Sequence, residues 1–413
     1  MSDLQNYFKN VNKIDITNIF LISILPLSLV TRSLMINILT ILVTIIFLIT
    51  LLKEKKFFFL HDKIFYSLCL FWLSLIINLF FTTDLNASMP RVLGFGKFII
   101  LVFAIKYYCL LQNSKYKKFI FKIWFFTFLF VSFDLLFEFI VGFNTLGYKS
   151  TLPGRLSGFL NDELKIGHYY SAFFLFSLTY IYYNNKKYLL LFLSIFIFIS
   201  FIIGERANFI KAILIFIIFY LIFEKKFFIR KIFFFLFFFT VIIFVGFKTQ
   251  GMKVRYWDQF LKPIIKTYSI QEYIYTTQYG AHYDTAIKIF YTYPLFGSGI
   301  KTFRNESSKN NYKSFNSFID QHRWATHPHQ IHLEFLSETG IFGYLSFFLF
   351  FLYTIGISIK HYIDSKDLYQ LSAILFTSIT LLPILPSGSF FTTYGATIFW
   401  INFAIMIAHN NKN

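Results

Sequence analysis

Apolar residues run in blocks of 16 to 25 along the whole chain, and polar residues are confined to the gaps between the blocks. Each block is long enough to cross a hydrocarbon core of about 30 Å. The pattern predicts twelve membrane helices, at 16–33, 34–52, 64–81, 92–111, 119–142, 168–184, 188–204, 207–223, 232–247, 338–359, 368–385 and 391–408. The expected fold class is an all-α polytopic membrane protein. Helices 1–9 occupy 1–247 with a short loop at 143–167, a large loop fills 248–337, and helices 10–12 occupy 338–413. The first block follows a basic, polar start and has no small-residue cleavage site after it, so it reads as a retained helix.

The gaps alternate in charge. Lys53, Lys55, Lys56 and Lys63 follow the second block, and Lys115, Lys117, Lys118 and Lys122 the fourth. Lys186 and Lys187 follow the sixth, Lys225, Lys226, Arg230 and Lys231 the eighth, and Lys360, His361 and Lys366 the tenth. Basic, short loops face the cytoplasm, so both termini are expected there. The opposite, periplasmic side receives 143–167, the "GER" turn at Gly204–Arg206, and 248–337. A loop of that length is usually functional. Its apolar periodicity, as in "YDTAIKIFYTYPLFGSG", predicts helices within it.

Composition agrees: 56% of the residues are hydrophobic and 14% charged, against about 25% charged in soluble domains. A net charge of +19 would suit nucleic acid in a soluble protein. Here the basic residues follow the loops, so membrane lipid is the expected surrounding and no nucleic-acid partner is implied. Cys69 and Cys109 lie inside apolar blocks and offer neither a disulfide framework nor metal spacing.

Four polar segments stand out. In "RLSGFLNDELKIGHY", Arg155, Asp162, Glu163 and His168 gather before the sixth block. The plain alternative is a solvated loop. In "IIGERANFIK", Glu205 and Arg206 interrupt an otherwise apolar stretch. An ionisable residue at membrane depth costs about 2.5–3.5 kcal/mol on insertion scales and normally marks a pathway or site. Arg206 is the first candidate anion ligand, because guanidinium stays charged and forks onto phosphate oxygens; the alternative is an external turn with a local ion pair. In "GAHYDTAIKIFYTYPLFGSGIKTFRNE", the Pro294–Gly299 stretch is a tight turn, and His282 and Arg304 flank it. In "ATHPHQIHLEFLSETGIFGYL", His327, His329 and His332 precede Glu334 and Glu338. Three readings stay open there: a metal site, an interfacial polar cap, and an acid/base or hydrogen-bonding site. His–Pro–His presents its imidazoles awkwardly to one ion, whereas imidazole suits proton transfer near neutral pH.

In this order the four segments resemble the O-antigen ligase and O-antigen polymerase superfamily of bacterial inner-membrane glycan transferases. The most specific mark is His329–Gln330, nine residues, then Gly340 and Gly343. "PLFGSG" with "KTFR" is similar to the family's extracytoplasmic helix and turn, "RLSGF" with "DE" to its earlier loop, and "GER" to its membrane-buried arginine. The resemblance implies about twelve spans and a large periplasmic loop. It implies glycan transfer from an undecaprenyl-diphosphate-linked donor to an acceptor hydroxyl, without metal or cofactor. The acceptor would be lipid A-core in a ligase and a lipid-linked glycan in a polymerase. The resemblance makes His329 and Arg206 the catalytic candidates, and Arg155, Glu163, Glu205, His282, Arg304 and Gln330 the substrate-binding ones. Where many relatives have an arginine before the Pro–Gly turn, this chain has His282, so the second phosphate ligand is open among His282, Arg304 and Arg255. A transporter of lipid or polysaccharide is the reading from another class. Against it, the two halves of the chain do not repeat each other.

Overall fold

The computed structural model describes residues 12–408, apart from 56, 111–113, 162, 224–238, 268 and 384. Lys56, Asp162, Lys225, Lys226, Arg230, Lys231 and the first part of the predicted ninth span therefore lie outside the described residues. Every regular element among the described residues is a helix. Those needed below are α1 (Lys13–Ser23), α2 (Leu25–Leu29), α3 (Ser33–Glu54), α4 (Lys63–Asn78), α5 (Leu85–Leu110), α6 (Ser114–Val141) and α7 (Ile166–Asn185). They continue with α8 (Leu189–Ile202), α9 (Arg206–Phe223), α10 (Phe239–Lys248), α11 (Gln278–Thr292), α12 (Ile331–Ser365), α13 (Leu368–Thr380) and α14 (Thr393–Met406). Five helical stretches among the described residues are long and apolar enough to cross a membrane: Ser33–Glu54, Leu85–Cys109, Tyr116–Val141, Ile166–Ile202 and Ile331–Ser365. The fourth comprises α7 and α8.

Local chemistry sets the helix ends. Asp62 caps α4 by accepting from the Ile64 amide at 2.9 Å, and its other oxygen meets Lys106 of α5 at 2.5 Å. Asp367 caps α13 in the same way and pairs with Lys117 of α6. A carboxylate at a helix start satisfies orphan amides and suits the dipole there. Inside the bundle, α14 packs on α13 and α5, α12 on α4, and α6 on α7. From Ala396 to Met406 every residue of α14 is buried, as expected of a helix apolar on all sides. The outer faces of α3 and α6 leave Leu34, Ile38, Ile45, Phe130, Phe133 and Ile140 exposed, a surface that only lipid would solvate well.

Several predicted boundaries move. The first span is broken into α1 and α2 around Pro26, which occupies the first turn of α2, where its missing N–H costs nothing. The eleventh helix stops at Thr380 rather than 385, and 381–383 and 385–392 are irregular. The tenth begins at Ile331 rather than 338, because Gln330 caps it, its side-chain oxygen accepting from the Leu333 amide at 2.7 Å. Polar residues in that first turn hide the helix from a hydropathy reading.

α12 is also discontinuous. Gly340 has φ 65° and ψ −173°, a region open essentially to glycine alone. The backbone groups freed by the break are satisfied by the Pro294–Gly299 turn. The Ser298 and Gly299 amides donate to the Ser337 and Glu338 carbonyls, both at 2.9 Å. The Ile341 and Phe342 amides donate back to Pro294 and Leu295, at 2.9 and 3.1 Å. Non-helical backbone at membrane depth is tolerated only with such internal partners. The "PLFGSG" turn and the kinked helix are thus one unit.

Candidate functional site

The site is assembled first by close backbone contacts. At Gly204, with φ +74°, a Cβ would lie 1.9 Å from the Gly154 carbonyl oxygen. At Gly154 it would lie 2.2 Å from the Gly251 carbonyl oxygen. These contacts draw the 153–156 loop, the 203–206 turn and the segment Lys253–Leu261, a π-helix, into one cluster. Arg155, Glu205, Arg206 and Arg255 meet as a result. Glu205 pairs with Arg155 at 3.0 Å, not with its neighbour Arg206, and accepts from the Gly167 amide at 3.1 Å. Arg255 donates from Nε and Nη2 to the Gly204 carbonyl, each at 3.2 Å, and from Nη1 to Gln259 Oε1 at 2.7 Å. Arg206 donates to the Gln259 carbonyl and lies over the Phe260 ring at 5.8 Å.

These side chains open onto a cavity of about 530 Å³ whose lining includes seven cations: Arg91, Arg155, Lys165, Arg206, Arg255, Lys301 and Arg304. Glu205 is the sole carboxylate among its described lining residues. Arg155 is paired with Glu205 and Lys165 with Glu163; Lys301 is linked to Glu334 through the Ser389 hydroxyl, and Arg91, Arg206, Arg255 and Arg304 have no ion-pair partner among the described residues. Arg255 feels the crowding: burial, then the charges of Arg206 and Arg155, push its guanidinium down to about 10. Like charges held together in a recess attract an anion.

Imidazoles line the same cavity. His329 adopts a left-handed conformation, φ +58°, and its carbonyl accepts from the Ser387 amide at 2.9 Å. Its ring lies 4.0 Å from that of His327, stacks on His282 at 5.3 Å and neighbours Tyr279 at 5.5 Å. His327 and His329 line the cavity; His282 is buried behind them. Burial lowers His329 and His282 to about 4, and His327 to about 2. For His282 and His327 the nearby His329 adds to burial. All three are therefore neutral imidazoles at pH 7.

Beneath the cavity, two buried carboxylates position its floor. Glu338 accepts from the backbone amides of Lys301 at 2.8 Å and Phe303 at 3.2 Å. Lys301 Nζ donates to Ser389 Oγ at 2.8 Å, and that hydroxyl donates to Glu334 at 2.5 Å. Glu334 also accepts from the Phe390 amide at 2.8 Å. The helical repeat of Glu334 and Glu338 thus fixes the 299–304 turn and the 386–392 segment against each other.

Of the eight catalytic and substrate-binding candidates, Arg155, Glu205, Arg206, Arg304 and His329 line the cavity, together with Arg255, His168 and His327. Three do not. Glu163 lies outside, paired with Lys165. His282 stacks behind His329. The Gln330 amide is committed at both ends, capping α12 and donating to the Pro383 carbonyl at 2.9 Å. His332 turns away, its ring nitrogens meeting the Tyr344 hydroxyl at 3.0 Å and the Leu381 carbonyl at 2.7 Å. Sequence reasoning missed Arg91, Lys165, Lys301 and the Pro386–Thr392 stretch. Lys301 sat inside the quoted "KTFR", and Arg91 interrupts the entrance to the fourth apolar block.

The buried histidines make a stability prediction. A lowered folded value means that the unfolded chain binds protons first, from about pH 6.5 downward. Stability conferred by neutral His282 and His329 is complete above pH 6.5 and is lost as pH falls from there to about 4. Thermal denaturation of detergent-solubilised protein should show the midpoint falling across that window. The fall should shrink in His282→Asn; an unchanged slope would detach the effect from this cluster.

Residues 188–348 match the model of a family described as O-antigen ligase. No curated protein matches the chain. The matched stretch contains Glu205, Arg206, Arg255, Lys301, Arg304, His327, His329 and the Gly340 break, while Arg91, Arg155 and Pro386–Thr392 lie outside it. The match supports the O-antigen ligase superfamily that the four segments resemble. With the apolar helices, it points to a multi-pass membrane protein with an O-antigen ligase- or polymerase-type activity.

Proposed function

We propose that the cavity binds the diphosphate of an undecaprenyl-diphosphate-linked glycan and that the protein transfers the glycan to an acceptor hydroxyl on the periplasmic face. The observation that carries this reading is the set of cations without an ion-pair partner among the described residues, Arg206 and Arg255 foremost, lining one cavity with the neutral His329 imidazole. In the transfer step the acceptor oxygen bonds to the anomeric carbon, and the bond from that carbon to the phosphate oxygen breaks. The proton of the acceptor hydroxyl passes to the His329 imidazole, and polyprenyl diphosphate leaves with the electron pair. Arg206, Arg255, Lys301 and Arg304 stabilise the negative charge developing on the leaving group, as preorganised cations do without reorganisation. They stand where a metal-dependent enzyme would use a divalent ion, so excess chelator should leave turnover largely intact. Activity lost to chelator and restored by a divalent ion would count against the arginines as the main phosphate partners.

Lipid A-core is the acceptor in this reading; the alternative is a second lipid-linked repeat unit. Purified protein in lipid nanodiscs, given a defined undecaprenyl-diphosphate glycan, separates them. A lipid A-core product alone gives a ligase, and chain elongation on lipid gives a polymerase. Absence of any new glycosidic bond with either acceptor would sink the transferase reading, and lipid movement in its place would favour a transporter. Within the assay, Arg206→Ala should lower kcat/KM roughly 10–100-fold, the value of a charge-assisted hydrogen bond. Arg206→Lys keeps the charge but loses the fork and should fall between; equality of Arg206→Lys with wild type would exclude bidentate binding.

A further inference from the structure

A second cavity of about 460 Å³ lies between α3, α5 and α14. It adjoins the first, since Arg91 and Thr392 line both. Its cations are Arg91 and Lys97, and no carboxylate is among its described lining residues. Lys97 lies well inside an apolar candidate span, Leu85–Cys109; twelve residues past Leu85, that is about 18 Å along the helix. Its ammonium donates to Asn37 Oδ1 at 2.5 Å and sits 5.2 Å from the centre of the Phe98 ring. On the same helix Lys106 is neutralised by Asp62. Lys97 has no ion-pair partner among the described residues, and the charge that bears on it is another cation, Arg91. A charge kept at membrane depth without a counter-ion of its own marks a site that an anion completes.

Around the two cations the walls are aromatic: Phe95, Phe98, Phe390 and Trp400. The cavity therefore offers an anion a polar end and a lipid an apolar flank. Arg91 donates from Nη1 to Thr393 Oγ1 at 3.0 Å, which holds its guanidinium at the junction of the two cavities. We propose that this second cavity receives the phosphate-bearing head of the acceptor glycolipid, while the first holds the donor diphosphate. The inference rests on the transferase reading above and adds to it that both substrates are held through phosphate, on opposite sides of Arg91. Glycan transfer would then take place at the junction, where the acceptor hydroxyl can reach across to the first cavity.

The test has a binding arm and a kinetic arm, both on the full chain in nanodiscs. Equilibrium binding of farnesyl diphosphate should give two equivalents for wild type, one for Lys97→Gln and one for Arg206→Ala. One equivalent in the wild type, or two retained in Lys97→Gln, would overturn the proposal whether or not transfer occurs. Equal displacement of both equivalents by phosphatidylglycerol would also overturn it, by reducing the second site to a general lipid contact. In the kinetic arm Lys97→Gln should raise the acceptor KM about tenfold and shift the donor KM less than twofold. Lowering the acceptor's phosphate charge should raise KM in wild type and leave it unmoved in Lys97→Gln, the non-additivity expected of one shared interaction. Running this arm with lipid A-core and with a lipid-linked repeat shows which glycolipid supplies the phosphate. A donor KM shift instead would assign Lys97 to the donor and end the proposal. Glutamine can keep a hydrogen bond to Asn37 and removes an uncompensated charge, so the variant should melt no lower than wild type. If wild type makes no glycosidic bond with any acceptor, the transferase reading fails by itself, and the stoichiometry still decides the second anion site.

Discussion

Replacing His329 by alanine is expected to lower glycan transfer about 10²–10⁴-fold, the usual contribution of a positioned general base, while donor binding stays within a few-fold of wild type. The ring reaches the cavity from a left-handed backbone position, braced by His327, His282 and Tyr279. Burial holds it to about 4. As a base it is weak but uncharged throughout the neutral range, so the acidic limb of kcat/KM should lie near pH 4 rather than near 6.5. His332→Ala should act through stability, because both ring nitrogens of His332 are engaged away from the cavity. Measuring transfer and melting temperature together for the two variants separates the cases. Near-normal turnover in His329→Ala would remove the imidazole from the chemistry, and an equal loss of turnover at unchanged melting temperature in His332→Ala would give His332 a part beyond stability.

The other large effect is expected at Gly340. Alanine there would need a positive φ with an extended ψ and would put its Cβ 2.4 Å from the Leu295 carbonyl oxygen. The backbone cost alone is about 1–3 kcal/mol, and the clash is with backbone that itself holds the break together. A total loss above about 3 kcal/mol is expected, in the range reserved for a named structural defect. Gly297→Ala should behave alike, since its Cβ would lie 2.4 Å from Glu338 backbone. Gly356→Ala, further along the same helix with nothing within 4 Å of the new Cβ, should be neutral or slightly stabilising. Yield and melting temperature of the three variants in detergent decide the matter. Comparable stability of Gly340→Ala and Gly356→Ala would mean that the break in α12 is not required.

Much of the site was legible because the chain writes its chemistry in short runs. Arg206 stands out by interrupting an apolar block, and His329 by its spacing to Gly340. The spacing has a physical basis: nine residues carry the helix from its cap at Gln330 to the break that docks the Pro–Gly turn. What sequence could not show was pairing across distance. Glu205 and Arg206 are adjacent in the chain, yet the carboxylate turns to Arg155, which leaves Arg206 without a carboxylate partner among the described residues. Gln330 sits in the most specific motif, yet its amide is used up by capping. Arg91 is a solitary basic residue, whereas Lys165 and Lys301 lie inside quoted segments in which other residues drew the attention. Residues 386–392 read as the edges of two spans because their serines, glycine and threonine are mild in polarity; their place at the cavity follows from Glu334, 52 to 58 positions earlier.

That last contact has a consequence for how the protein is made. The segment bearing Ser387, Ser389 and Thr392 sits between α13 and α14, which are synthesised after the rest of the site. Glu334 and Lys301 are synthesised earlier and wait for the Ser389 hydroxyl that joins them. Until α14 enters the bundle, the basic residues of both cavities face a gap where α14 will later stand against α5. A chain cut after α13 would carry the arginines, histidines and kinked helix intact and still lack a closed site. Entry of α14 thus closes the site only after the residues it closes upon are already in place.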